Sequence, residues 1–298
     1  MLILLGGSGY VGSAFARFFD QRKIDYCILS RKNLDYYQPD QLKRFLKEQG
    51  CTFLINAAGY TGKPNVDSCE LNRTECLIGN SVLPGLIRSA CEDLGIAWGH
   101  VSSGCIYTGA RPDGGGFREA DAPNFDFRHN NCSFYSGCKA LGEECLVDAK
   151  QLYVWRLRIP FDHQDSARNY ISKLMRYDRL LEARNSISQL DEFVKACWEC
   201  WSRRVPFGIY NVTNTGSITT SEIVDMMRRI LNVSKSFQFF ESEAQFMQLA
   251  ARTPRSNCVL DNRKLTDTGI GVSEVHDAVE KALRNWISEW HLDQGVSQ

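Results

Sequence analysis

The sequence predicts an α/β protein with a doubly wound parallel β-sheet and a smaller C-terminal lobe. Two observations predict this fold class. Short apolar segments alternate with longer amphipathic segments through the first 160 residues, and a glycine-rich turn follows the first apolar segment. Strands that are separated by helices of this length form right-handed β-α-β crossovers, so the strands run parallel and helices cover both faces of the sheet.

The predicted elements of the first domain, residues 1–160, follow in order. Strands are expected at "LILL" (2–5), "YCILS" (26–30), "TFLINAAG" (52–59), "AWGHVSSG" (97–104) and "LYVWRLRIP" (152–160). Helices are expected in "SAFARFFDQ", from Pro39 through "QLKRFLKEQ", along "LIGNSVLPGLIRSACEDLG" as one long helix, and in "SFYSGCKALGEECLVDA". The apolar runs are short and the intervening segments have helical periodicity, which is the pattern of a parallel sheet.

The alternation weakens in residues 161–298, which we assign to the smaller, substrate-binding lobe. Helices are expected in "NYISKLMRYDRLL", "TTSEIVDMMRRILN" and the terminal "SEVHDAVEKALRNWISEW", with frayed residues from His291 onwards. The segment "GIYNVTN" is predicted as a strand that returns to the main sheet near residues 208–213, so this lobe is partly discontinuous. We expect it to close over the carboxyl ends of the strands, where ligands bind in such sheets.

The composition excludes several classes of protein. Lys+Arg and Asp+Glu number 35 each, so no basic surface field favours a nucleic-acid or anionic-lipid partner. The opening "MLILLGG" has no basic flank and too short an apolar run for a signal peptide, and no run approaches the roughly 20 residues of a membrane span. Most of the 12 cysteines lie in apolar segments, and the five histidines form no cluster. We therefore expect a cytoplasmic protein without a metal site.

The turn "GGSGYVGS" carries Gly6, Gly9 and Gly12 in G-x-x-G-x-x-G spacing between a strand and a helix. This context predicts a Rossmann-type dinucleotide site, because glycines let the backbone approach a pyrophosphate and the helix N-terminus favours its charge. The second strand ends in "LSRK", where Arg31 replaces the acidic residue that would bind the ribose of NAD. We expect NADPH, since a guanidinium suits a 2′-phosphate. The alternative is that Arg31 is a solvated strand-end residue and that NADH serves.

Tyr135 and Lys139 stand four residues apart in "YSGCK", so one turn of helix places both side chains on one face. The ammonium is expected to lower the pKa of the phenol, which then moves protons near neutral pH. Ser103, at the end of the fourth strand, can hydrogen-bond the same carbonyl oxygen. The predicted cofactor contacts are Gly6, Ser8, Gly9, Tyr10, Val11, Gly12, Ser30, Arg31, Ala57, Ala58, Tyr135, Lys139 and Pro160.

The motifs "INAAG", "VDSCE", "FREADAPNF", "FYSGCKALGEE" and "TPRSNCVLDNRKL" resemble the dTDP-4-dehydrorhamnose reductase branch of the extended short-chain dehydrogenases/reductases. The reductase/epimerase half of plant and viral UDP-rhamnose synthases is the most similar group, from Gly6 to about Leu265. The resemblance implies NADPH-dependent reduction of a nucleotide-linked 4-keto-6-deoxy sugar, with 3,5-epimerisation in the same site, toward a nucleotide-linked L-rhamnose. A separate 4,6-dehydratase would supply the substrate. The nucleotide (UDP, dTDP or GDP) and a homodimer remain open.

Cys105 stands in "SGCIY", where single-step reductases of this branch usually have "TDYVF". GDP-fucose synthase, which resembles this family and both epimerises and reduces, has a cysteine at the matching position. In the rhamnose synthase half, the similar pattern pairs this cysteine with a lysine that matches Lys173. The resemblance therefore implies that Cys105, partly ionised beside an ammonium, is the base at C3 and C5 and that Lys173 is its acid partner. The alternative is a packing cysteine and a solvated lysine.

Four further residues are predicted to contact the substrate. Thr61 and Asn65 lie in the loop after the third strand, and Arg255 is placed by resemblance to hold the nucleotide diphosphate with a bidentate fork. Asn169 precedes a predicted helix, so it either contacts the substrate or caps that helix. Three other functions stay open: a plain 4-reductase without epimerase activity, an enzyme that uses bound NAD for 4-epimerisation or dehydration, and a non-catalytic NADP-binding regulatory subunit.

Overall fold

The computed structural model describes residues 1–63 and 65–287. The strands are β1 (Leu2–Leu5), β2 (Tyr26–Leu29), β3 (Phe53–Asn56), β4 (Ala97–Ser103), β5 (Leu152–Leu157), β6 (Pro160–Phe161), β7 (Arg179–Leu180), β8 (Arg184–Asn185), β9 (Ser188–Gln189), β10 (Gly208–Asn211), β11 (Ile218–Thr219) and β12 (Gln238–Phe239). The α-helices are α1 (Tyr10–Arg22), α2 (Pro39–Glu48), α3 (Ser68–Leu71), α4 (Arg73–Leu77), α5 (Leu83–Leu94), α6 (Phe134–Glu144), α7 (Tyr170–Arg176), α8 (Leu190–Ser202), α9 (Thr220–Leu231), α10 (Glu243–Leu249), α11 (Arg263–Thr266) and α12 (Val275–Arg284).

Six of the strands form one parallel sheet in the order β10-β5-β4-β3-β1-β2. The chain starts in the interior of the sheet at β1 and winds outward in both directions, which confirms the predicted doubly wound fold class. The strand order reverses between β1 and β3, and in such sheets a crevice for ligands opens at that point, beyond the carboxyl ends of the strands. Edge strand β10 pairs with β5 although it lies within residues 161–298.

Helices cover both faces of this sheet with apolar side chains. On one face α1 and α8 pack against the strands, and on the other α2 and α5 do so. Burial of each large side chain contributes about 1.5–3 kcal/mol to folding. Completely buried examples from the first face are Phe15, Phe19, Trp155 and Phe193, and from the second face Leu5, Leu42, Ile87 and Cys91.

Three predicted elements are interrupted. The long helix across residues 77–95 contains a π-helical turn at Ile78–Val82, where Pro84 has no N–H to donate to the carbonyl of Asn80. The fifth strand ends at Leu157, because Ile159 has a φ of +35° and starts a new direction before β6. The helix predicted through residue 181 ends at Arg176, after which Tyr177 is extended and β7 pairs with β12.

The smaller lobe has its own apolar core, built by α7, α9 and α12. Its members include Ile171, Leu174, Val224, Met227 and Val279, all almost completely buried. The end of the predicted terminal helix and the tail from His291 lie outside the described residues. Within the part of the chain that the structure describes, no helix is both long and apolar enough to cross a membrane.

Candidate active site

The turn between β1 and α1 is packed so tightly at Gly6 and Gly12 that neither position can hold a side chain. Gly6 has a φ of +77°, and a Cβ there would lie 2.5 Å from the amide nitrogen of Ala58. A Cβ on Gly12 would lie 2.0 Å from the carbonyl oxygen of Gly6. The first turn of α1 carries neither a capping side chain nor an acidic residue. Its N–H groups, with exposed Ser8 beside them, are therefore open to an anionic ligand.

Other predicted cofactor residues line the same edge of the sheet. Ser30 directly follows β2 and contacts the side chain of Asn33. Arg31 is exposed, lies 6.0 Å from the ring centroid of Tyr37 and forms no ion pair with a described residue. Its guanidinium is thus available to a phosphate. Ala57 and Ala58 follow β3 directly beneath the glycine turn, and Pro160 begins β6.

Tyr10 is the first residue of α1, and its neighbour Val11 is partly buried in the apolar core of that face. Burial raises the pKa of the Tyr10 phenol, which lies near Asp162 and Arg17. Its hydroxyl oxygen has no hydrogen-bond partner among the described residues. The side chain of Tyr10 is therefore directed toward the lobe contact formed by Arg17 and Asp162, and its backbone N–H is the group near the glycine turn.

Ser103, Tyr135 and Lys139 come together at the carboxyl end of β4. Ser133 caps α6 by accepting a bond of 3.1 Å from the backbone N–H of Ser136, which starts the helix one residue before Tyr135. The Ser103 hydroxyl lies close enough to the Tyr135 hydroxyl to favour its ionised form. Lys139 is 6% exposed, and its Nζ donates to the carbonyl of Val101 at 3.3 Å.

The predicted downward shift of the Tyr135 pKa is wrong for this structure. Burial raises the pKa of Tyr135 well above its ordinary value, and this effect exceeds the lowering by the contact with Ser103. Burial also lowers the pKa of Lys139, although the carboxylate of Glu143 opposes that shift. A phenol with a raised pKa stays protonated at neutral pH, so Tyr135 is prepared to donate a proton rather than to accept one.

Cys105 lies in a 3₁₀ turn, Gly104–Ile106, directly after β4. Its backbone N–H donates to Oγ of Ser103 at 3.2 Å, and the side chains of Ser103 and Ser136 lie near its thiol and favour the ionised form. The residue is 7% exposed and packs with an apolar cluster that Tyr135 borders. Burial raises the pKa of the thiol, so the predicted partial ionisation near pH 7 is wrong. Cys105 is nevertheless next to the Ser103–Tyr135 pair.

Arg158 and Lys139, and not Lys173, are the cations whose charges act on the thiol of Cys105. Lys173 is half-buried on α7, where burial, followed by the charges of Arg168 and Arg255, lowers its pKa. The structure thus gives Cys105 an arginine neighbour that the sequence analysis did not identify, and it groups Lys173 with two other cations.

Arg158 itself is almost completely buried. Its Nη2 donates to Oδ1 of Asn185 at 2.6 Å, while its Nε is buried without a hydrogen-bond partner among the described residues. No spacing rule links this residue to Cys105, because the two lie on different strand ends that only the sheet brings together.

The predicted substrate residues have different environments. Arg255 forms a bidentate ion pair with Asp67, with both N–O distances at 2.7 Å. Asn65 accepts a bond of 2.8 Å from the backbone N–H of Asp67, and Thr61 is exposed in the same loop. Asn169 caps α7 at Ile171 and donates to two carbonyl groups, and no part of it is exposed. The capping alternative therefore replaces the predicted contact of Asn169 with substrate.

A family model described as the RmlD substrate binding domain matches residues 1–287. The chain belongs to this family. It is 32% identical over 268 residues to an Arabidopsis thaliana protein named bifunctional dTDP-4-dehydrorhamnose 3,5-epimerase/dTDP-4-dehydrorhamnose reductase, with 88% of this chain and 85% of that protein covered. The family resemblance predicted from the sequence is confirmed.

A second Arabidopsis relative is a trifunctional UDP-glucose 4,6-dehydratase/UDP-4-keto-6-deoxy-D-glucose 3,5-epimerase/UDP-4-keto-L-rhamnose-reductase, also 32% identical over 88% of this chain. The chain spans 38% of that protein's length. Among solved structures, the L780 UDP-rhamnose synthase of Acanthamoeba polyphaga mimivirus has a TM-score of 0.87 at 22% identity, covering 95% of this chain and 98% of its own. A Bacillus anthracis dTDP-4-dehydrorhamnose reductase in complex with NADP has a TM-score of 0.79 at 17% identity, covering 96% and 97%. These structures confirm the Rossmann-like fold.

The site of this RmlD-family chain also contains a buried asparagine, a residue that was not predicted from the sequence. Asn80, in the π-helical turn, donates to the carbonyl of Tyr60 at 2.7 Å and accepts from its N–H at 3.2 Å. A Cβ on Gly59 would lie 2.9 Å from Oδ1 of Asn80 and 3.8 Å from Nζ of Lys139. The usable signal was Pro84 within a helical pattern, since π-turns often occur at functional sites.

Proposed function

We propose that this protein reduces the 4-ketone of a nucleotide-linked 4-keto-6-deoxy sugar with NADPH and epimerises C3 and C5 in the same site, forming a nucleotide-linked L-rhamnose. One observation supports this most: Ser103, Tyr135 and Cys105 lie together at the carboxyl end of β4, where the Cys105 N–H donates to Oγ of Ser103 and Tyr135 packs against the cluster that contains Cys105. The 32% identical bifunctional relative, most of whose length is matched, supports the same combination of activities.

The cofactor site fits NADPH. The glycine turn leaves no room for a Cβ, and the N-terminus of α1 is free of acidic side chains, as a pyrophosphate requires. Arg31 would hold the 2′-phosphate, because no described carboxylate neutralises it. When bound, the reduced nicotinamide supplies a hydride for C4. NADH would bind without the Arg31 contact and therefore more weakly.

In the proposed reduction, Tyr135 donates its proton to O4 while Ser103 holds the same oxygen by a hydrogen bond. The raised pKa of Tyr135 keeps the donor protonated at neutral pH. The developing phenolate then lies one helical turn from Lys139, whose ammonium stabilises it once charge appears. The lysine therefore acts late, on the product of proton transfer, and not on the resting phenol.

The directions of the pKa shifts favour the reverse of the predicted roles in epimerisation, with Lys173 as the base and Cys105 as the acid. Cys105 has a raised pKa and carries a proton, while the pKa of Lys173 is lowered, which makes its neutral amine accessible. We propose that Lys173 removes the protons α to the ketone and that Cys105 returns a proton on the other face. An oxyanion at O4, stabilised by Ser103 and Tyr135, lowers the barrier for both steps.

Arg255 would hold the nucleotide diphosphate, with Thr61 and Asn65 beside the sugar. In this structure both guanidinium nitrogens are taken by Asp67. Binding of a diphosphate at Arg255 therefore requires the arginine to exchange a carboxylate for a phosphate. The number of charge-assisted bonds to Arg255 stays the same, but Asp67 loses its partner, so its carboxylate must turn toward water or another donor. The ketone itself would come from a separate 4,6-dehydratase.

The test supplies UDP-, dTDP- or GDP-4-keto-6-deoxyglucose with NADPH and no other enzyme. We expect NADPH consumption with at least one nucleotide and a 6-deoxy-L-sugar product by NMR. Oxidation of NADPH only after a separate 3,5-epimerase is added would contradict the epimerase part of the proposal. One observation favours that second candidate, a plain 4-reductase: the cations whose charges act on the Cys105 thiol are Arg158 and Lys139, and Lys173 is not among them.

A further inference from the structure

Three cysteines meet beneath the helix that carries Tyr135 and Lys139. Cys69 lies on α3, Cys76 on α4 and Cys138 on α6, and all three are completely buried as a cluster of their own. All are free thiols, and the proposed reaction uses none of them. Cys138 stands between the two residues of the proton-transfer pair in the sequence.

The sulfur of Cys76 is the centre of this cluster. Cys138 and Cys69 pack against it in the same buried cluster, and Nδ2 of Asn80 donates to it at 3.4 Å. These neighbours, with the charge of Lys139 nearby, lower the pKa of Cys76 despite its burial. A thiol that accepts a hydrogen bond close to an ammonium group has thiolate character, which is the reactive form of cysteine.

Only a thin cover separates the cluster from solvent. The side chains packed against it, Tyr60, Leu77, Phe134 and Tyr135, are themselves partly exposed. A molecule the size of hydrogen peroxide therefore needs only small side-chain movements to reach the sulfur atoms. Such rotations occur on much shorter timescales than the chemical step.

We propose that Cys69, Cys76 and Cys138 form a peroxide-sensitive modification site, in which Cys76 and Cys138 join in a disulfide that reversibly stops the reductase. The Cys76 thiolate attacks one oxygen of hydrogen peroxide, the O–O bond breaks, and the second oxygen leaves as water after taking a proton. Cys138 then displaces water from the resulting sulfenic acid and loses its own proton. Two thiols are oxidised to a disulfide, and one peroxide is reduced to two waters.

The choice of Cys138 as partner gives the site its effect on catalysis. A disulfide fixes the two sulfur atoms about 2.05 Å apart, closer than any hydrogen-bonded pair. Because Cys138 is anchored on α6 by its carbonyl, which accepts a 2.8 Å bond from Ser81, the bond pulls on the helix that positions Tyr135 and Lys139. A displacement of about 1 Å at a catalytic group lowers a rate by on the order of a hundredfold.

The test treats the full chain with hydrogen peroxide, then blocks the remaining thiols and maps cross-linked peptides by mass spectrometry. We expect a Cys76–Cys138 cross-link, loss of NADPH oxidation on the order of a hundredfold, and recovery with dithiothreitol. Cys76→Ser and Cys138→Ala should both resist inactivation. Cys145→Ser is the matched control, because Cys145 is an exposed cysteine at the C-terminal end of the same helix, α6, and this variant should remain as sensitive as the unchanged chain.

Several outcomes would overturn the inference. They are a cross-link between other cysteines, no cross-link at all, or Cys76→Ser and Cys138→Ala variants that lose activity to peroxide as the unchanged chain does. The activity readout rests on the proposed reductase function, but the cross-link does not. A cross-link found in a chain without reductase activity would therefore contradict the proposed function and leave the modification site standing. Two variants are used so that a folding defect in one, seen as altered circular dichroism, does not decide the result.

Discussion

Replacement of Glu143 by glutamine tests the buried ion pair that supports the proton-transfer helix. The carboxylate of Glu143 accepts bonds from Nη2 of Arg156 at 2.7 Å, from Nε at 3.1 Å, and from the Ser102 hydroxyl at 2.5 Å. The side chains of Glu143 and Arg156 are only 8% and 3% exposed. Glu143→Gln keeps the shape but leaves the guanidinium buried without its paired charge, which costs about 3–5 kcal/mol.

The adjacent residue provides a matched control. Glu144 pairs with Arg128 at a similar distance, 2.6 Å, but these side chains are 39% and 75% exposed. The same chemical change at that position, Glu144→Gln, should cost about 0–1 kcal/mol because solvent screens an exposed pair. The free energy of unfolding of each variant is measured by equilibrium denaturation in urea. Equal losses for the two variants, or a loss below about 1 kcal/mol for Glu143→Gln, would refute the reasoning.

Three further predictions concern cofactor binding and pH. Gly12→Ala should abolish NADPH binding in a fluorescence titration, because the added Cβ would lie 2.0 Å from a backbone oxygen of the glycine turn; retained binding would contradict this. Arg31→Ala should raise the KM for NADPH about tenfold or more, since a charge-assisted phosphate bond contributes about 1.5–3 kcal/mol. The same variant should leave the KM for NADH unchanged, and the control Lys32→Ala should leave both KM values nearly unchanged. The hydrogen bond to Asp162 raises the pKa of His163, so its contribution to stability is full below pH ~6.5 and is lost as pH rises through the folded-state pKa. The loss of stability caused by His163→Asn should therefore be largest below about pH 6 and should shrink as the pH rises. A loss that grows with pH would contradict the assignment.

The spacing of residues within single elements was enough to predict the central sheet and part of the site. The separation of Gly6, Gly9 and Gly12 and the one-turn separation of Tyr135 and Lys139 act within a single element, so they could be recognised without knowledge of tertiary contacts. The central sheet was predictable for the same reason, because each strand was a short apolar run between helical segments.

Contacts between distant segments could not be predicted in this way. Arg156 meets Glu143 only because β5 and α6 pack together, and Arg158 reaches Cys105 only across neighbouring strand ends. Burial decided the pKa directions of Tyr135 and Cys105, and burial is a property of the whole fold. Spacing suggested a lowered pKa for Tyr135, the family resemblance suggested a partly ionised Cys105, and both predictions were wrong.

The proposed function requires Cys105 and Tyr135 to act on one sugar ring. Its most direct test compares the unchanged chain with Lys173→Met and Cys105→Ser in deuterium oxide, with the position of deuterium in the sugar read by NMR. We predict that the unchanged chain introduces deuterium at C3 and C5 with inversion, that Lys173→Met loses this exchange, and that Cys105→Ser loses the inverted product but still reduces a ketone that has already been epimerised. Formation of the inverted sugar at the unchanged rate by Cys105→Ser would contradict the proposed epimerase role.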